Sequence, residues 1–137
     1  MIMTLNPNVA PGGNFNLSKR KILLPVDSSG KGSSTAVEVS DLRRDESEYF
    51  YTGSDDVMVF HAPVHGAATS GPSYALSELR KMNGTARAAW HLKTGGFMSA
   101  ALEVGPAPMR DGQGQRVVLG PIRGRDDELV RLYGRLN

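Results

Sequence analysis

The chain contains no cysteine. Disulfide scaffolding, thiol catalysis and cysteine-ligated zinc are therefore all excluded. It has no apolar run long enough to span a membrane. The opening residues, "MIMTLNPNVAPGGNFNLSKRK", lack the basic-then-apolar layout of a secretory leader. Either the protein is not exported by that route or this is a mature or partial chain. A large charge of one sign is also missing. The formal net charge is +2, too small to argue for nucleic acid, and acidic residues are interspersed with basic ones as on an ordinary solvated surface.

The chain has 137 residues, 39% hydrophobic and 22% charged. That suits one small globular domain with a modest core. Residues 1–14 are rich in Pro, Gly and Asn and read as an extended N-terminal arm. "KRKILLPV" (Lys19 to Val26) reads as a strand closed by proline, and "TAVEVSDL" as a strand running into one helical turn. "SEYFYTG" and "DDVMVFHAPV" are β-branched and aromatic and end in turn formers, so both read as strands. "SYALSELRKM" alternates, which puts Leu76, Glu78 and Arg80 on one face and Ser77, Leu79 and Lys81 on the other. "RAAWHLK" and "FMSAALEVG" follow, then a turn at "PMRDGQGQ" and a strand at "RVVLGPI". "DELVRLYGRL" fits a short helix or a strand, and its neighbours favour strand. Roughly eight or nine short strands at regular spacing indicate an all-β sandwich or jelly roll.

The blocks "FNLSKRKILLPV", "VEVSDLRRDESEYFY", "VMVFHAPVHGAATSGPSYALSELRKM", "AAW" and "VVLGPIRGRDD" occur in the order seen in alginate lyases. In this the chain resembles polysaccharide lyase family 7, from about Asn14 to its last residue. The resemblance implies a concave, concanavalin-like β-sandwich over residues 15–137, with the C-terminal part of the family domain absent. Its inner sheet would form a groove for an acidic polysaccharide. The family's reaction is β-elimination. A base removes the C5 proton of a uronate, an acid protonates the departing O4, and a donor neutralises the carboxylate.

Family members use an Arg-x-Glu-Leu-Arg strand, a Gln-Ile-His strand and a tyrosine near the C-terminus. Here Glu78, Leu79 and Arg80 match, but the first arginine is Leu76. Ile122 and Gly124 match, but the glutamine is Pro121 and the histidine is Arg123. The tyrosine motif would fall beyond Asn137, and Tyr133 is too early to replace it. Leucine cannot neutralise a carboxylate, proline offers no donor, and arginine stays protonated near neutral pH. The resemblance therefore leaves Glu78, Arg80 and Arg123 as groove residues that would bind an acidic sugar, and no catalytic set; His91, which follows Trp90 and should point opposite to it, to the groove or to solvent, is a further candidate for sugar binding.

The expected function is a non-catalytic module that binds acidic polysaccharide or cell-surface glycan, or that assembles with other proteins. An active lyase on a uronate-containing glycan is the alternative. An extracellular or virion-associated setting, such as a tail or head decoration, fits the missing leader. Protein partners or further copies of the chain would cover an open sheet edge. No cofactor, metal, nucleic acid or membrane partner is expected. Glu78 and Arg80 read equally well as an ordinary ion pair, which contributes ~0–1 kcal/mol when exposed. Trp90, the only tryptophan, reads as core rather than as a sugar platform. His61 and His65 are four apart but separated by Pro63 and lack a carboxylate cluster. Asn16-Leu17-Ser18 and Asn83-Gly84-Thr85 match the glycosylation acceptor pattern, which is common by chance.

Overall fold

The structure is a computed structural model. It describes residues 4–30, 35–68, 74–106, 109–110, 113–114, 116–123 and 128–135. The chain divides into two compact units, residues 1–93 and residues 94–137.

The first unit opens with a single helical turn, α1 (Pro11–Asn14), inside the stretch expected to be extended. Pro11 takes the first helical position, where its missing N–H costs nothing. Ala10, Pro11 and Gly12 are buried. The Gly12 amide donates to the Leu42 carbonyl at 2.9 Å. A Cβ at Gly12 would lie 2.2 Å from that oxygen, so only glycine fits this approach. The Asn14 side chain donates to the Asn6 and Val9 carbonyls and to the Thr52 hydroxyl, fastening the segment to the strands.

Strands β1 (Arg20–Leu23), β2 (Glu38–Val39), β3 (Phe50–Thr52) and β4 (Met58–Phe60) fall within stretches expected to be strands. β5 (Glu78–Asn83) and β6 (Ala86–Arg87) form a hairpin. Its turn is two residues long, and Gly84 at the first position has φ +59°. That placement of a positive φ is the II′ pattern, which suits the twist of paired strands. β2, β1, β5 and β6 make a four-stranded sheet in that order, and β3 pairs with β4. All of these pairings are antiparallel.

The sheet is apolar on one face. Ile22 lies between Val39 and Leu79 in the ladder, and this row packs on Leu17, Leu24, Leu42 and Phe50. Phe50 stands opposite Phe60, with ring centroids 5.3 Å apart. Burying each such side chain stabilises the fold by roughly 1.5–3 kcal/mol. Leu23 points the other way and packs with Ala36, Ala67 and Leu76.

After β6 the chain leaves the sheet. Residues 88–91 form no strand, and Leu92–Thr94 make one 3-10 turn. In the second unit, residues 97–106 are irregular rather than the expected strand. β7 (Met109–Arg110) pairs with β8 (Gln113–Gly114), both inside the stretch expected to be a turn between strands. β9 (Arg116–Arg123) pairs with β10 (Glu128–Arg135) in a long hairpin with two register shifts. The choice of strand over helix for "DELVRLYGRL" is correct over the described residues.

Candidate functional site

The second face of the four-stranded sheet carries charge. Lys21 on β1 stands directly opposite Arg80 on β5, and Leu23 opposite Glu78. Leu23 is also opposite Glu38 on the other neighbouring strand. Arg87 faces Met82 on the same side of the hairpin. Three cations, Lys21, Arg80 and Arg87, therefore share a face with two carboxylates, Glu38 and Glu78.

The pairing among them is specific. The Arg80 Nε donates to Glu78 at 2.7 Å and its Nη1 to Glu38 at 3.3 Å. Lys21 also donates to Glu38. Arg87 reaches Glu38 at 3.7 Å. The Arg80 side chain is only 10% exposed, whereas that of Arg87 is 67% exposed. Arg80 is thus held in place by two carboxylates, and Arg87 is loosely tethered. The Lys21 hydrogen bond, with the fields of Lys21, Arg80 and Arg87, outweighs burial and holds the Glu38 carboxyl below its ordinary value.

The structure thus brings together two of the four expected sugar-binding residues. His91 lies exposed in the loop after β6, where its Nδ1 accepts the Lys93 amide at 3.2 Å. Arg123 is the last residue of β9, in the second unit, opposite Glu128 in the ladder. Lys21, Glu38 and Arg87 were not expected at the site. The local signal was present, since alternation in "RKIL" puts Lys21 on the side of Leu23. What sequence could not supply was the order and register that bring Glu38, Lys21 and Arg80 together from three neighbouring strands.

Trp90 corrects the expectation of a core residue. It is 51% exposed, with the Lys81 ammonium 5.8 Å from its ring centroid. The strand that would have carried it inward ends at Arg87.

Comparison with known proteins bears on this sheet and the chain around it. A family model described as alginate lyase matches residues 15–137. The chain belongs to the alginate lyase family. An alginate lyase from Klebsiella pneumoniae is 33% identical over an alignment 153 residues long, gaps included, that takes in 92% of this chain and 50% of that protein. The chain thus spans about half the length of the curated relative it matches. Among solved structures, alginate lyase A1-II′, a member of polysaccharide lyase family 7, is 42% identical. The match covers 53% of this chain and 30% of that one, with a TM-score of 0.45. A variant of the same enzyme in complex with a substrate written GGMG matches over 56% of this chain and 31% of that one, with a TM-score of 0.46. The sequence resemblance to polysaccharide lyase family 7 therefore holds, and the described residues of this alginate lyase-like chain are all-β apart from two short helical turns.

Proposed function

We propose that this chain binds an acidic polysaccharide through the charged face of its four-stranded sheet and does not cleave it. The observation that carries the reading is the array itself. Lys21, Arg80 and Arg87 outnumber Glu38 and Glu78, and their contacts fix Arg80 in place. Such an array suits a uronate chain. Cations take its carboxylates, and the two glutamates accept hydrogen bonds from its hydroxyls. Arg87, the most exposed and loosest of the three cations, is the one best able to turn to a ligand. Membership of the alginate lyase family supports the class of ligand. The positions that the resemblance assigns to elimination chemistry hold Leu76, Pro121 and Arg123, none of which supplies a base at neutral pH. A polysaccharide ligand of this kind would place the module outside the cell or on a virion.

A second reading, a working lyase acting by β-elimination, is favoured by the family itself and by its alginate lyase relatives. One experiment separates the two. The purified chain is run through gels containing alginate or other acidic polysaccharides, and ultraviolet absorbance of unsaturated uronate is followed in parallel. Retardation without absorbance, reduced about 5-fold or more by Arg87→Ala, is the expected result. Absorbance that grows with time and is abolished by Arg80→Ala would replace this reading with the lyase. Neither signal would overturn both.

A further inference from the structure

The cations on the charged face already have carboxylate partners. The opposite face of the same strands carries two that do not. Arg20 and Lys81 stand directly opposite one another in the β1–β5 ladder. Alternation places them on the Ile22 and Leu79 side, away from Arg80. Among the described residues neither has an ion pair; Arg20 donates to the Lys19 carbonyl at 3.4 Å and Lys81 lies over Trp90. Like charges directly opposite one another in a ladder are destabilising unless something of the other sign joins them.

Two further features adjoin this pair. Trp90 leaves half its surface open beside the Lys81 ammonium. Arg20 also lines an open recess of about 210 Å³ with the hydroxyl-bearing Ser18, Ser40 and Thr85, a recess at the end of the sheet that Lys21 and Met82 of the charged face border as well. An apolar ring beside one cation and hydroxyls beside its partner across the ladder match a particular ligand. A pyranose ring has an apolar C–H face for an indole, a uronate adds a carboxylate for an ammonium or guanidinium, and its hydroxyls seek polar neighbours.

We propose that Trp90, Lys81 and Arg20 form a second contact for an acidic sugar, on the face of the sheet opposite Arg80. The sugar ring lies on the exposed part of the indole, and its carboxylate replaces the missing counter-charge between Lys81 and Arg20. This rests on the reading that the chain binds acidic polysaccharide, but it concerns different residues.

The single tryptophan makes the test direct. Tryptophan emission is recorded during titration with short oligouronates, and with neutral cello-oligosaccharides as the control. A saturable change with oligouronates alone is expected, weakened about 5-fold or more by Lys81→Ala or Arg20→Ala. Trp90→Phe is checked by circular dichroism for folding and by gel retardation for binding; it should fold normally and bind more weakly. Unchanged emission while the chain is still retarded by polyuronate would overturn the second contact and leave the first standing. No emission change and no retardation would remove both. An equal response to neutral sugars, or one indifferent to both cation variants, would overturn the acidic class of ligand. Emission that depends on protein concentration without sugar would assign the indole to self-association instead.

Discussion

Glu38→Gln is the perturbation that tests the charged face most directly. Among the described residues, Glu38 alone touches Lys21, Arg80 and Arg87 together. The amide keeps the shape and loses the charge. Lys21 and Arg80, directly opposite in register, then face one another with Glu78 as the one remaining carboxylate partner among the described residues. The magnitude follows from exposure. The Glu38 side chain is 30% exposed, so its contacts lie nearer the surface range of ~0–1 kcal/mol each than the buried one. Three contacts sharing one carboxylate then sum to about 1–2 kcal/mol. For a domain of this size that is a fall of roughly 3–8 °C in Tm.

The pH dependence adds a second constraint. The folded Glu38 carboxyl lies below its ordinary value of 4.5. Its stabilisation is therefore complete above that value and is lost as pH falls through the lower folded pKa. Thermal melts followed by circular dichroism should show a gap between wild type and Glu38→Gln at pH 7. The gap should narrow in 1 M salt and close toward pH 3. Equal Tm values at pH 7, or a gap unchanged from pH 7 to pH 3, would refute the claim that this carboxylate holds the three cations.

Two other positions yield simpler expectations. The Asp45 carboxyl has one buried oxygen without a hydrogen-bond partner. Burial, aided by the nearby Asp41 charge, pushes its pKa above the ordinary 3.8. The penalty is absent below that value and grows as pH rises through the folded pKa. Asp45→Asn should therefore raise Tm by a few degrees at pH 7 and by nothing near pH 3. Gly84→Ala meets no atom within 4 Å, but forces a side chain onto φ +59°. It should cost about 1 kcal/mol, measured by urea unfolding, from backbone strain alone.

Local pattern carried much of this fold. The alternation in Leu76 to Arg80 is reproduced residue by residue. Leu76 packs beside Leu23, Ser77 donates to the Tyr49 carbonyl at 2.8 Å, Leu79 joins the Phe50 core and Arg80 joins the charged face. Yet β5 begins only at Glu78, because its partner β1 ends opposite it at Leu23 and Pro25 follows. A strand's length is set by what it pairs with, and that partner is far away in sequence. The same reason explains "RAAWHLK", where suitable residues continue past Arg87 without a ladder to join. In the first segment, glycine and proline suggested an extended chain. Gly12 instead permits contact with Leu42, a neighbour no local pattern reveals. At the site, Glu78 and Arg80 were legible because they are two apart in one strand. Glu38, Lys21 and Arg87 arrive from three other strands, and only register assembles them.

The central place of β1 has a consequence for the moment of synthesis. Leu23 pairs with Glu38 and with Glu78, fifteen and fifty-five residues later (38 − 23 and 78 − 23). At ~5–20 residues per second, the second partner leaves the ribosome about 3–11 s after β1 does. Through that interval one edge of β1, the apolar Ile22 and Leu23 included, has no partner from its own chain. A nascent chain in this state offers a ready template for β pairing with a neighbour on the same polysome. Slowing translation between Val39 and Glu78 would lengthen the exposure. The yield of folded protein should fall with it, although no residue of the finished molecule has changed.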